Sequence, residues 1–160
     1  MTDKKIINAN VLKWVALITM FIDHIGAGII EPRYYPMMRT EDTIIRMIGR
    51  IAFPIFCFLL VEGYTYTRNK WKYAANLLIF AIVSEVPFDI LFREHFTWSY
   101  QNVYFTLLIG LFAIIVADKA EKIQTNSILI RLVQLMVMGV FAYIAYLFRT
   151  DYSFWGVCLI

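Results

Sequence analysis

Long apolar runs alternate with short polar stretches along this chain, and the runs are of membrane-spanning length. Segments of about 17–25 residues with few charges recur, long enough to cross a hydrocarbon core of about 30 Å as helices. The pattern predicts helices over Val11–Ile30, Thr43–Thr65, Tyr73–Phe92, Val103–Ala117 and Ile128–Phe148. Pro87 is expected to bend or interrupt the third. Polar connections separate them: a loop with Pro32, Arg33, Tyr34, Tyr35, Pro36, Arg39, Glu41 and Asp42, a short basic turn, REHFTWSYQN, and DKAEK. The closing run, DYSFWGVCLI, has about nine apolar-rich residues, roughly 14 Å as a helix and half a bilayer core. It reads as a re-entrant tail or, by preference, as a sixth helix cut short. The expected fold is all-α, a polytopic membrane helix bundle with about five spanning helices and a partial sixth. It is expected as a single transmembrane domain over residues 1–160, truncated at its C-terminus.

Composition agrees with this pattern. The apolar fraction is 61% and the charged fraction 17%, against about 45–50% and about 25% in soluble domains. A net charge of +3 calls for no nucleic-acid partner, because the basic residues lie between apolar segments. One set of loops collects Lys4, Lys5, Lys13, Arg68, Lys70, Lys72, Lys119, Lys122 and nearby Arg131. The other carries Arg33, Arg39, Arg93 and Arg149, partly balanced by Glu31, Glu41, Asp42, Glu94 and Asp151. The positive-inside rule then puts the N-terminus in the cytoplasm. Trp14, Trp71, Trp98, Tyr100 and Tyr104 fall near segment ends, as an aromatic belt would. Cys57 and Cys158 both lie in apolar segments and read as core residues, not as a disulfide or metal site. No metal is expected. The Lys4-Lys5 start leads into an apolar segment without a small-residue cleavage site, so it reads as a retained first helix.

Against this apolar background the ionisable residues stand out. Asp23 and His24 are adjacent within KWVALITMFIDHIGAGII. A charged group there costs roughly 2.5–3.5 kcal/mol on insertion scales, so it is rarely kept without a partner or a task. Arg46 and Arg50 lie in the second segment, Glu85 and Asp89 in the third, each pair at i,i+4 on one helix face. At 1.5 Å per residue, Asp23 and His24 are roughly 18–20 Å up from the cytoplasmic edge. Arg46 and Arg50 lie within about 10 Å of the outer edge, and Glu85 and Asp89 about 18–25 Å up. Asn102 and Thr106, at the start of the fourth helix, fall at the same level. The simplest expectation pairs the basic face of the second helix with the acidic face of the third, beside His24. Adjacent residues point about 100° apart on a helix, so Glu85, Asp89 or Asn102 orient His24 better than Asp23 does. Gly26 and Gly28 remove bulk next to His24.

Each of these residues also has a plainer reading. His24 can be a structural core histidine, Arg46 can snorkel outward, Glu85 and Asp89 can serve only to neutralise the arginines, and Asn102 can cap the fourth helix. Glu62 is either an interfacial charge or part of a cytoplasmic entry. Arg68, Lys70 and Lys72 are a topology signal or a phosphate-binding turn. His95 reads as solvated surface.

The segments LKWVALITMFIDHIGA, IIRMIGRIAFPIFCFLLVEGYTYTRNKWKYAANLLIFAIVSEVPFDILF and QNVYFTLLIGL resemble the TraX family. The combination of IDHIG, GRIAFPIF, SEVPFD and NVYFTL is specific, and the likeness continues weakly to DYSFWGV. The resemblance implies a polytopic acetyltransferase of the bacterial plasma (inner) membrane, similar in outline to transmembrane acyltransferases that use cytosolic acyl-CoA. It implies acetyl-CoA or another acyl-CoA as co-substrate. The acceptor is a pilin-like peptide, a sugar or a lipid, met at the extracytoplasmic side. His24 would handle the acyl group as base or nucleophile, with Asp23, Arg50, Glu85 and Asp89 beside it. Arg46, Asn102 and Thr106 would meet substrate or the oxyanion. Arg68, Lys70, Lys72 and Glu62 would lie toward the CoA phosphates.

The chemistry fits these residue types. Acyl transfer needs a base or nucleophile and donors for the developing oxyanion. A pantetheine arm, on the order of 15–20 Å long, compares with the climb from the basic turn to His24. Two other classes stay open: a proton-coupled transporter or channel, since Asp, Glu and His chains also mark proton paths, and a non-enzymatic assembly factor whose ion pairs fix helix packing. A homo-oligomer is open too, because a neighbour could cover an incomplete last helix.

Overall fold

In the computed structural model, residues 8–34, 37, 39–93, 99–123 and 126–160 are described. Lys4, Lys5, Tyr35, Pro36, Glu94, His95 and Trp98 lie outside the described residues. The order is α1 (Ala9–Ile25), a π-helical turn (Gly26–Ile30), α2 (Glu31–Tyr34), α3 (Arg39–Gly49), α4 (Ala52–Tyr66), α5 (Lys70–Arg93), α6 (Val103–Ile123), α7 (Ser127–Leu147) and α8 (Ser153–Leu159). Among the described residues, five stretches are long and apolar enough to cross a membrane: Ala9–Tyr34, Arg39–Tyr66, Lys70–Phe92, Val103–Lys122 and Ser127–Leu147. The fold is the expected all-α polytopic one, with the short α8 after the fifth of these stretches.

Local chemistry sets the helix ends. Asn8, in extended conformation, caps α1 by accepting the Val11 amide at 2.9 Å. Asn69 does the same for Lys72 at the start of α5, also at 2.9 Å. Asn126 accepts from Ile128 and Leu129 at the start of α7. The second predicted helix is two helices, because residues 50 and 51 form a turn between α3 and α4. Pro54 is the reason. It has no N–H for the Arg50 carbonyl four residues earlier, and its ring crowds that carbonyl. The Ile51 amide instead bonds Ile48 O at 3.2 Å, a tighter i−3 contact. Pro87, expected to disturb the third helix, does not interrupt α5. Membrane helices tolerate such a residue where local adjustment satisfies the freed carbonyl.

The chain divides into two compact units, Met1–Leu59 and Leu60–Ile160, with the boundary inside α4. In the first, α1 packs against α3. A Cβ placed on Gly49 would lie 2.2 Å from Asp23 Cβ and 2.7 Å from Asp23 Cα. The two helices therefore touch through backbone, which only glycine allows. A Cβ on Gly26 would meet Ile45 Cγ2 at 2.9 Å. The face of α3 turned to α1 is the stripe Asp42, Ile45, Arg46, Gly49, spaced i, i+3, i+4, i+7.

In the second unit α5 packs on α6, α6 on α7, and α8 folds back onto both α6 and α7. Ala142, Ala145 and Val157 are buried together, with Ile109, Ala113 and Phe141 against them. The two alanines let α8 approach closely. Cys57 is buried as expected, but Cys158 on α8 is exposed, so the expectation of a core position fails for it.

Candidate functional site

Asp23, His24, Arg46 and Arg50 belong to the first unit. The Arg46 guanidinium reaches the Asp23 carboxylate at 2.8 Å, and Nη1 makes a longer 3.5 Å contact to the Asp23 carbonyl. The partner expected for the arginine face was the Glu85–Asp89 face. Within the first unit Arg46 meets Asp23, where backbone contact at Gly49 draws α1 and α3 together. The other Asp23 oxygen, Oδ1, is buried against Gly49 with no hydrogen-bond partner among the described residues. Arg50 is exposed and sits in the turn that Pro54 creates.

His24 is half-buried on the last turn of α1. Its Nδ1 lies 2.8 Å from the carbonyl of Met20. A carbonyl only accepts, so Nδ1 carries the proton in this contact, and in the neutral ring Nε2 holds the lone pair. The sequence suggested a carboxylate or Asn102 for orienting the ring; at Nδ1 its own helix does so. Directly after it comes the π-helical turn, where the Glu31 amide reaches back five residues to Gly26 O. Such turns are rare and frequent at functional sites. The sequence showed the small residues of this turn, not its geometry.

The second unit holds Glu62, Arg68, Lys70, Lys72, Glu85, Asp89, Asn102 and Thr106. Glu85 and Asp89 are 1% and 0% exposed, so both acids on this face of α5 are enclosed. Asn102 is the pivot. Its side-chain nitrogen donates to Glu85 Oε2 at 2.6 Å and to the Ala81 carbonyl at 2.8 Å. Its backbone N–H also donates to Glu85 Oε2, at 3.1 Å, and its Oδ1 accepts the Tyr104 amide. Asn102 is thus both the cap of α6 and the anchor of Glu85. Both amide hydrogens are engaged, which leaves neither spare for an oxyanion.

Thr106, one turn along α6, is fully buried. Its hydroxyl lies 2.9 Å from that of Thr150 and donates to the Asp151 carbonyl. The segment before α6 is stitched to the segment after α7. Gln101 N–H donates to Arg149 O at 3.3 Å, Asp151 N–H donates to Gln101 O at 2.8 Å, and Tyr100 donates to the Asp151 carboxylate. Three non-glycine residues there have positive φ: Arg149 (50°), Tyr152 (59°) and Ser153 (44°). Such conformations cost about 1–3 kcal/mol each and persist where surrounding bonds over-determine them. Tyr100, Gln101, Thr150 and Asp151 were not singled out as site residues. The signal was faint: paired polar residues, QN and TD, at the edges of apolar segments far apart in sequence.

At the opposite end of α5 the basic turn splits. Lys70 lies 3.8 Å above the Tyr64 ring and donates to the Tyr64 carbonyl, while Tyr64 donates to Asp118 at 3.0 Å. Lys122 completes the cluster with a 2.7 Å contact to the same Asp118 oxygen. Lys70 is therefore committed to holding helix ends together. Arg68 and Lys72 are exposed, and Glu62 is half-exposed.

Helices of spanning length that carry enclosed acids, an arginine–aspartate pair and a histidine bonded at Nδ1 to its own helix define a multi-pass membrane protein with polar sites inside its apolar segments. Residues 8–160 match the family described as TraX protein, and the chain belongs to that family. A probable fimbrial assembly protein, FimC of serogroup H1, from Dichelobacter nodosus is 30% identical over 127 residues, covering 74% of this chain and 50% of the relative. An uncharacterized protein, RP591, of Rickettsia prowazekii (strain Madrid E) is 35% identical over 102 residues, covering 63% of this chain and 34% of the relative. The chain thus spans half the length of the first relative and about a third of the second. No solved structure matches.

Proposed function

We propose that the chain forms a membrane-embedded acyltransferase domain. It moves an acetyl or other acyl group from cytosolic acyl-CoA to an amine or hydroxyl at the extracytoplasmic side of a bacterial plasma membrane, with the N-terminus cytoplasmic. The observation that carries this is the His24 ring: Nδ1 is tied to Met20 O, so a neutral imidazole turns its basic nitrogen, Nε2, outward from the helix backbone. In the proposed step Nε2 takes the proton of the acceptor O–H or N–H as that atom attacks the thioester carbonyl. The C–S bond then breaks, and the CoA thiolate receives the proton from the imidazolium. General base catalysis of this kind is worth typically about 10²–10⁴-fold. The Asp23–Arg46 pair beside His24 supports the reading by fixing the segment that bears it. Exposed Arg68 and Lys72 supply cations for the CoA phosphates.

The relative's name, a fimbrial assembly protein, favours a subunit of a surface appendage as acceptor. It equally favours a second reading: an assembly factor with no chemistry, in which the ion pair and the Asn102 network only fix helix packing. The test is release of CoA thiol from acetyl-CoA by purified protein in vesicles, with and without a peptide amine. Wild type should turn over, and His24→Ala and His24→Gln should lose about 10²-fold or more. No turnover by wild type, or assembly function retained by both variants, would favour the second reading, and wild-type turnover in both variants would remove His24 from the chemistry.

A further inference from the structure

A groove of about 390 Å³ runs along α6 and α7, lined by Gln101, Phe105 and Ile109 on one side and Ile144, Phe148 and Thr150 on the other. Its apolar walls are Phe105 and Ile109 of α6 and Ile144 of α7 with the C-cap Phe148, each pair at i,i+4, and its polar end is the stitched turn with Gln101 and Thr150. From Gln101 to Ile109 the groove extends about 12 Å, close to the half-thickness of a hydrocarbon core, about 15 Å. One turn of an α-helix with its side chains fills roughly 400–600 Å³, so the groove takes a slender chain and less than one helical turn. Arg149 lies between the lining residues Phe148 and Thr150 and is exposed. Its positive φ, and the bonds from Gln101, Thr106 and Tyr100 around it, hold this turn in one strained conformation. A strained, over-determined turn beside an apolar slot is where a pre-organised ligand site is expected.

We propose that this groove seats one hydrocarbon chain of an anionic phospholipid. The chain lies between the Phe105–Ile109 and Ile144–Phe148 stripes, and the phosphate sits at Arg149, with Gln101 and Thr150 at the head-group end. The site is independent of the acyl-transfer reading, because its occupancy needs neither acyl-CoA nor His24.

The test uses the full chain in vesicles of equal parts phosphatidylethanolamine and phosphatidylglycerol, with a phosphatidylglycerol probe carrying a diazirine in its acyl chain. Adducts should map to peptides containing residues 105–109 or 144–148. Ile144→Trp, and separately Ile109→Phe, should each lower adduct yield several-fold while helix content by circular dichroism is unchanged; Ile144→Leu should leave the yield intact. Arg149→Gln should reduce phosphatidylglycerol labelling to that of a phosphatidylcholine probe. Adducts unchanged in both groove-filling variants, or mapped elsewhere, would overturn the proposal. Equal labelling of wild type by the two lipids would do so as well. Competition by free glycerol phosphate would point to a soluble phosphate, and cross-linking of an added apolar peptide at Phe105 or Ile144 to a protein occupant; either result overturns the lipid assignment.

Discussion

The two units handle buried polarity in opposite ways. In the first, a full charge pair, Asp23 and Arg46, lies on the contact of α1 and α3, with side chains 18% and 27% exposed. It is few-membered and leaves Asp23 Oδ1 without a partner among the described residues. In the second, Glu85 is enclosed and accepts from Asn102, whose donors and acceptor are all used. A partly exposed charge pair can be reached by a ligand, while an enclosed network mainly holds geometry. By that contrast the first unit is where chemistry fits, and the second is where a frame fits.

That contrast can be broken by mutation. The largest effect should come from Gly49→Val. Any Cβ there collides with Asp23, so α1 and α3 must separate, at about 3 kcal/mol or more. Thermal unfolding in detergent should show it, and a wild-type midpoint would mean the helices do not touch through backbone. Next is Arg46→Ala, expected to cost about 2 kcal/mol, below the about 3–5 for a fully enclosed pair. Adding Asp23→Ala should recover part of the loss, and strict additivity in the double-mutant cycle would deny the pair any coupling.

In the frame, substituents should matter by hydrogen bonding more than by charge. Glu85→Ala should cost about 1–3 kcal/mol by leaving Asn102 donors unmet, whereas Glu85→Gln keeps an acceptor oxygen and should cost less than about 1. If the glutamine variant is as unstable as the alanine one, the charge itself is what α5 needs. Thr106→Val, isosteric but without the hydroxyl, should cost about 1 kcal/mol and speed hydrogen exchange of the residue 149–152 turn. The smallest effect belongs to Lys70→Met, about 0.5–1 kcal/mol for the lost cation–π contact. A larger drop in CoA binding than in stability would return Lys70 to a phosphate-binding role.

Several of these features were readable along the chain. The five spanning segments, the Asn102 cap and the short last helix follow from periodicity, length and capping chemistry, which are local. The polar residues of interest were also visible, because an ionisable group in an apolar run is conspicuous. Their partners were not. A single glycine three residues on from Arg46, Gly49, brings Asp23 within its reach. Thr150 and Asp151, 44 and 45 residues from Thr106, looked like an ordinary loop. The π-helical turn after His24 and the break at residues 50–51 arise where helix packing or a proline ring competes with the i−4 ladder.

The amino-acid order alone determined that this is a multi-pass helical protein, where its spanning segments fall, and which residues cannot sit comfortably in hydrocarbon. Those properties depend on transfer energies and on contacts within one turn of helix. Which carboxylate meets which donor, and whether a lysine is free or stacked on a tyrosine, came only with the packed chain. Hydrogen bonds reach about 3 Å, and positions at that range are set by how closely helix backbones approach one another, a quantity that residues far apart in sequence decide together.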